Sequence, residues 1–272
     1  MLLFSTGYIL KMVHLSFDLY PSYLRSFEVA PLDGVASRQR YAIHAMRNYA
    51  FRTENGIRKG PFPQVRPEGN LELVCLKAPA STSLRSMEAT HLRSWSTWTG
   101  QKHSSKQSIT AKIDYAANAT GSPGKWELLY QSDPILPVKS YRYSKIGPMQ
   151  QTGRRSGNAI TIRTTDSGQD RRYQAQHSTT SLYTLIERLQ AGAVKPGPVD
   201  YLDDLTMFRP GLEITPLPDQ RMEIEGSMEE LHGFALVGPA LLPLYFWQNS
   251  NNHVLAVIGR NVAYTLTEIE RK

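Results

Sequence analysis

Apolar and polar residues alternate in short segments along most of the chain after residue 70. The clearest segment is 108–115, in which Ile109, Ile113 and Tyr115 alternate with polar side chains. A period of two places one set of side chains on a buried face of a β-sheet and the other set towards solvent. The pattern therefore predicts a strand. Further strands are predicted at 71–76, 126–130, 140–146, 159–163 and 172–175.

The C-terminal stretch 222–267 consists of strand-length pieces separated by turn-forming residues. The pieces are rich in branched and aromatic residues, and glycine, proline or asparagine lies between them. Such a succession is typical of an antiparallel meander. The asparagine-rich run 249–252 is predicted to be a hairpin loop, because asparagine tolerates the left-handed backbone conformation.

One segment, 180–190, has helical rather than strand periodicity. Its apolar residues follow the i, i+3, i+4, i+7 spacing of an amphipathic helix. Thr180 or Ser181 can cap the start of this helix, and Gly192 can end it. We expect the apolar stripe to pack on a sheet. The stripe consists of Leu182, Leu185, Ile186 and Leu189.

These patterns together predict a mainly β protein of the α+β class. The expected architecture is a curved antiparallel sheet or half-barrel with one amphipathic helix, at about 181–190, packed on it. Residues 1–70 are expected to form an irregular or mixed N-terminal region and residues 71–272 a β-rich domain, with one single domain as the alternative. The architecture is similar to that of bacterial envelope half-barrel domains of the lipoprotein-carrier kind.

The formal net charge of the 272-residue chain is +7, and this charge is unevenly distributed. Residues 1–180 carry a net charge of +12 and residues 181–272 a net charge of −5. A basic N-terminal part can meet phosphates, anionic lipid headgroups or an acidic partner. The alternative is that the charges only keep the protein soluble, or that the basic and acidic parts face each other.

Three features of the sequence bear on disulfide bonding, membrane insertion and cellular location. Its only cysteine, Cys75, excludes an intramolecular disulfide and a cysteine-based zinc site, and it lies in an apolar run that predicts a buried thiol. No apolar run approaches the roughly 20 residues of a membrane helix. The apolar stretch 1–10 lacks the preceding basic residue and the following cleavage site of a clear signal peptide. We therefore expect a cytoplasmic protein by default, with the bacterial envelope as the alternative.

The sequence contains no motif of catalysis, metal binding or cofactor binding. Its seven histidines are scattered without the spacing of a metal site. Neither a nucleophile elbow nor a phosphate-binding glycine loop is present. We expect no metal and no cofactor, and the missing motifs favour a non-catalytic protein. An enzyme whose site is assembled from residues distant in sequence is an alternative.

Large aromatic residues in the predicted strands suggest a first function, the binding of a hydrophobic or anionic amphiphilic small molecule. A curved sheet and a helix can enclose an apolar pocket, and tyrosine and tryptophan add polar tips that orient a headgroup. The alternative is that these rings only fill the core. The predicted ligand-binding residues are Trp126, Tyr130, Tyr245, Trp247 and Tyr264.

A basic cluster between residues 142 and 172 suggests a second function, nucleic-acid or polyanion binding. Arginines interleaved with aromatic residues on one exposed sheet face can contact phosphates and stack bases. The alternative is a solvated face that protects a sheet edge. The predicted residues are Arg154, Arg155, Arg163, Arg171 and Arg172, with Tyr141, Arg142, Tyr143 and Tyr173 near them.

Overall fold

Fifteen strands form one sheet in the part of the chain that the computed structural model describes, residues 23–54, 57–77, 84–98, 102–116, 119–132, 148–165, 168–259 and 262–272. A helix, α1, spans Leu182–Gln190. The strands are β1 (Ser37–Glu54), β2 (Ile57–Lys77), β3 (Leu84–Trp98), β4 (Lys102–Ala116), β5 (Ala119–Ser132), β6 (Met149–Ser156), β7 (Ala159–Thr164), β8 (Asp170–Gln174), β9 (Thr179–Ser181), β10 (Gly197–Asp203), β11 (Met207–Ile224), β12 (Ser227–Gly238), β13 (Leu241–Gln248), β14 (Val254–Ile258) and β15 (Val262–Arg271).

The strand order follows the chain in two meanders that meet in the middle of the sheet. From β1 the neighbours run through β2 to the edge strand β8 on one side, and through β15 back to the edge strand β9 on the other. Every pair is antiparallel except β9 with β10, which is parallel. The predicted curved antiparallel sheet with one helix packed on it is therefore confirmed. The asparagine-rich run predicted as a hairpin loop connects β13 to β14.

Side-chain hydrogen bonds, rather than a backbone ladder, connect the two ends of this long sheet. Trp126 on β5 donates from Nε1 to the carbonyl oxygen of Leu205 at 3.0 Å. Arg171 on β8 donates to the carbonyl oxygen of Thr206 at 2.9 Å. A sheet of this many strands must curl, and these contacts hold the curl in a barrel-like shape.

The helix lies inside the curl of the sheet. All four residues of the predicted stripe are buried, which confirms the packing of the helix on the sheet, and the polar Glu187 and Gln190 are buried as well. Gln190 donates from Nε2 to Gln39 Oε1 at 2.8 Å and to the hydroxyl of Tyr41 at 3.3 Å, so the end of α1 is fixed to β1. No helix in the described ranges is long and apolar enough to cross a membrane.

Ser181 caps the start of α1. It is one of the two residues predicted for this role. Its hydroxyl accepts a hydrogen bond from the Thr184 backbone at 3.3 Å, and its own backbone N–H donates to Thr184 Oγ1 at 2.9 Å. This reciprocal pair is a capping box with threonine in the third helical position. Gly192 follows the helix with a φ of 62°. The left-handed conformation there ends the helix.

The predicted N-terminal region, residues 1–70, contributes to the sheet through β1 and the first part of β2. Residues 37–54, expected to be irregular or mixed, form β1 in the middle of the sheet. Ser37 and Gln39 occupy the same buried face as Tyr41 and Ile43, so the apolar alternation is broken by two buried polar residues. The predicted boundary between residues 70 and 71 falls inside β2. The predicted strand 140–146 lies outside the described residues.

Candidate functional site

The five aromatic residues predicted to bind a ligand belong mainly to the core. Four of them are buried, and Tyr130 packs against the core while partly exposed. A Cβ added at Gly153 would overlap the ring of Trp126, so that ring fills the space beside the glycine. Ligand binding by these residues stays a prediction, and none of them lines the cavity described below.

The five predicted polyanion-binding arginines lie on three adjacent antiparallel strands, β6, β7 and β8. However, they do not share one face, because side chains alternate along each strand. Arg154, Arg163 and Arg172 are exposed, whereas Arg155 and Arg171 are only partly exposed, on the opposite face. The expectation of one basic face with five arginines is therefore corrected to a split cluster. The segment with Tyr141, Arg142 and Tyr143 lies outside the described residues.

A cavity of about 740 Å³ opens at one end of the curled sheet, and we name it the mouth pocket. It lies where the end of β4, the start of β5, the turn between β6 and β7, the segment before β9 and the C-terminal end of α1 meet. Its polar lining residues are Asp114, Ser122, Lys125, Arg155, Ser178 and Arg188. Its other lining residues are Tyr115, Ala116, Gly124, Gly157 and Ala193.

Irregular pairing between β4 and β5 shapes the wall of the mouth pocket. The register shifts on both sides of Tyr115, so the two strands do not run as a regular ladder there. Gly121 has a φ of 73°, and a Cβ at this position would overlap Arg188 Cγ. The glycine thus lets the helix lie directly against β5. Ser122 then ties this wall to β9 through a hydrogen bond from its hydroxyl to the Thr179 carbonyl oxygen at 2.9 Å.

Positive charge predominates in the lining, with Lys125, Arg155 and Arg188 against Asp114. Lys125 lies 3.6 Å from Glu127, but both side chains are exposed, and such ion pairs contribute little. Arg155 is oriented by hydrogen bonds from Nε to the Gly157 carbonyl oxygen and from Nη1 to Thr179 Oγ1.

Arg188 differs from Arg155 in its hydrogen bonding. Its Nη1 is shielded from solvent and has no hydrogen-bond partner among the described residues. Burial lowers the pKa of Arg188, and Glu187 beside it counteracts that effect. A guanidinium stays charged in proteins. Arg188 lines the pocket, so its positive charge acts on an anionic group bound there, even though Nη1 itself is shielded.

A buried carboxylate, that of Glu187, lies next to Arg188 in the helix. The side chain is 3% exposed, and neither carboxylate oxygen has a hydrogen-bond partner within the described residues. The pKa of Glu187 is raised to about 7, chiefly by burial; the charge of Arg188 opposes this rise and that of Asp33 adds to it. An unpaired carboxylate resists ionisation in such surroundings. Near neutral pH this group is therefore present in both protonation states.

Cys75 and Tyr115 lie close enough to Glu187 for its charge to affect them. Burial raises the pKa of both the Cys75 thiol and the Tyr115 phenol, and the Glu187 carboxylate raises them further. The predicted buried thiol is confirmed, and its raised pKa opposes formation of the nucleophilic thiolate. Among the residues with a described placement, no group of three or more histidine, cysteine, aspartate or glutamate side chains is positioned to hold a metal ion.

Comparison with solved structures identifies a protein of similar fold. The crystal structure of a β-barrel-like protein of a domain of unknown function, DUF1849, from Brucella abortus matches with a TM-score of 0.53 and 9% sequence identity. The match covers 90% of this chain and 100% of that chain. At this identity the similarity defines the class of fold, a barrel-like sheet. No family model matches the sequence, and no curated protein matches it.

Proposed function

We propose that this protein is a non-catalytic binding protein that takes an anionic amphiphilic molecule into the mouth pocket. The observation that carries the proposal is the positive charge of Arg188, whose side chain lines the pocket. Lys125 and Arg155 add two further positive charges. The cavity volume of about 740 Å³ lies in the range of small-molecule sites, roughly 300–1,000 Å³.

The rest of the lining favours a ligand with an apolar portion. The ring of Tyr115 and four alanine or glycine residues form much of the wall, and they offer apolar surface without crowding the cavity. A charged headgroup can thus pair with the arginines while a short hydrocarbon part lies along Tyr115. Charge-assisted hydrogen bonds to a guanidinium are about twice as strong as neutral ones, so Arg188 is expected to dominate affinity.

Binding of decyl sulfate, measured by isothermal titration calorimetry below its micelle concentration, tests this proposal. We expect the unmodified protein to bind one molecule and Arg188→Gln to bind roughly 10- to 100-fold more weakly, because a hydrogen bond to a charged group is lost. Arg172→Gln is the matched control, since it removes the same charge from an exposed position outside the pocket lining.

Two further ligands separate the roles of charge and tail. Decyl maltoside has the same tail without the charge, and inorganic sulfate has the charge without the tail. We expect both to bind more weakly than decyl sulfate. Equal affinity of the Arg188→Gln and Arg172→Gln proteins for decyl sulfate, or no binding of decyl sulfate at all, would contradict the proposal.

A row of exposed cations supports a second candidate function, polyanion binding on the outer face. In the sheet register Lys125 pairs with Arg154, Arg154 with Thr161, and Thr161 with Arg172. Three positive charges thus lie in line across β5 to β8, as a phosphate backbone requires. Heparin retention at low salt tests this function. Replacing Arg154 and Arg172 together with Gln should weaken retention, whereas Arg188→Gln should leave it unchanged.

A further inference from the structure

The buried Glu187 carboxylate and the pocket cation Arg188 lie against the same point of the sheet. A Cβ added at Gly121 would lie 2.6 Å from Glu187 Oε2 and would also overlap Arg188 Cγ. The next residue along β5, Ser122, lines the mouth pocket. The carboxylate therefore lies directly behind the wall that carries the anion-binding guanidinium.

Few other charges surround Glu187. In the described part of the chain, Arg188 on α1, Asp33 before β1, Cys75 on β2 and Tyr115 on β4 interact with its charge. Of the other strands that contact α1, β5 contains Lys125, Glu127 and Tyr130, β13 contains only Tyr245, and β9 and β14 contain no titratable residue. Neutral cysteine and tyrosine leave Arg188 as the cation whose charge the ionised carboxylate offsets.

The two protonation states of Glu187 thus give the mouth pocket two different potentials. The ionised carboxylate offsets the charge of Arg188 and repels an entering anion, whereas the neutral acid leaves the guanidinium uncompensated. Shielding from solvent strengthens such an interaction relative to one at an exposed surface. Linkage then requires that a ligand preferring the neutral acid also promotes uptake of a proton.

We propose that Glu187 makes the mouth pocket proton-linked, so that an anionic ligand is held with Glu187 protonated and released when Glu187 ionises. This inference rests on the proposed function and adds its regulation. The coupling uses two adjacent residues of α1, Glu187 and Arg188, which both lie against Gly121. It requires no movement of the sheet.

Calorimetric titration with decyl sulfate at pH 6 and pH 8 tests the inference. The sulfate ester stays a monoanion throughout this range, so its own charge does not change. In the unmodified protein we expect binding about tenfold weaker at pH 8 than at pH 6, which is within the usual range of coupling between sites. Glu187→Gln should bind tightly at both pH values. His177→Gln is the control for a histidine adjacent in sequence to the pocket residue Ser178, and it should keep the pH dependence.

A second measurement does not depend on any variant. Titrations of the unmodified protein near pH 7 in buffers with different ionisation enthalpies should show net proton uptake on binding. Binding with no pH dependence and no proton uptake would overturn the inference and leave the proposed function standing. A pH dependence retained in Glu187→Gln would likewise overturn it. Failure to bind decyl sulfate at either pH would overturn the proposed function itself.

Discussion

At the scale of single residues, the chain places several polar groups where water does not reach them. His91 is buried, neither ring nitrogen has a partner among the described residues, and its ring meets that of Tyr264 edge-on at a centroid distance of 5.7 Å. Burial, together with the charge of Arg93, lowers the pKa of His91 to about 4. The imidazole is therefore neutral in the folded protein and acts as part of the core.

This histidine should make the fold sensitive to acid. The unfolded chain takes up a proton near the ordinary pKa of 6.5, while the folded protein does so only near 4, so stability is lost as pH falls between these values. The full loss is roughly 3 kcal/mol. We expect His91→Leu to lose less stability than the unmodified protein between pH 7.5 and pH 4.5, in urea unfolding followed by circular dichroism.

Other titrating groups do not affect the difference in stability between His91→Leu and the unmodified protein. The raised pKa of Glu187 acts in the opposite direction, because folding then favours the protonated acid and stability falls as pH rises from 4.5 through 7. That contribution is common to both proteins and cancels in their difference. Parallel pH profiles for His91→Leu and the unmodified protein would show that the buried imidazole does not control acid sensitivity.

At the scale of elements, the pattern of apolar and polar residues was sufficient to predict several of the strands and the helix. Alternation in 108–115 and helical spacing in 180–190 indicated β4 and α1, because in both segments the buried positions are apolar. Strand β1 had no sustained alternation in the sequence, because the polar Ser37 and Gln39 are buried beside Tyr41. Buried polar residues carry no periodic signal until their partners are known, and here one partner, Gln190, is about 150 positions away along the chain.

The mouth pocket could not be predicted from the sequence for a related reason. Its cations Lys125, Arg155 and Arg188 come from β5, β6 and the end of α1, and only Arg155 belonged to a predicted site. Glu187 lies off the apolar stripe of the helix, so the hydrophobic pattern did not single it out. Its burial follows from the enclosure of the whole helix by the sheet, which is a property of the tertiary structure.

Gly121 determines how closely the helix approaches β5, and its replacement tests that contact. Gly121→Ala adds a Cβ that overlaps Arg188 Cγ, and it places alanine at a φ of 73°. We expect a loss of roughly 2–4 kcal/mol in unfolding free energy, together with weaker decyl sulfate binding because the helix end is displaced. Unfolding in urea and calorimetry measure the two effects.

Gly168→Ala provides the matched control for this replacement. Gly168 has a φ of 62°, but no atom lies within 4 Å of a Cβ added there. This variant should therefore show only the backbone penalty, roughly 1–2 kcal/mol, and normal ligand affinity. Equal losses of unfolding free energy in Gly121→Ala and Gly168→Ala would mean that the overlap between the added Cβ and Arg188 is removed by a shift of atoms that costs no free energy.

At the scale of the whole molecule, the shape depends on the seam, by which we mean the junction where the two ends of the curled sheet meet without backbone hydrogen bonds between strands. Edge strands β8 and β9 are not paired with each other, and side chains connect the two ends of the sheet instead. Besides the hydrogen bonds of Trp126 and Arg171, the rings of Tyr173 and Phe208 meet at a centroid distance of 5.2 Å. A seam of this kind is expected to open before the hydrogen-bonded middle of the sheet does, because local stability follows local contacts.

Trp126→Phe tests the seam by removing one hydrogen bond while keeping an aromatic ring. The variant leaves the carbonyl oxygen of Leu205 unpaired in a buried position, at a cost of roughly 1–3 kcal/mol. We expect faster amide hydrogen exchange in β6 to β8 and in the β10–β11 hairpin, with unchanged exchange in β14 and β15, measured by mass spectrometry. Ile162→Val is the control, since it trims a buried side chain of β7 that makes no hydrogen bond across the seam. Faster exchange spread evenly over the sheet in Trp126→Phe would show that the curl opens only together with global unfolding.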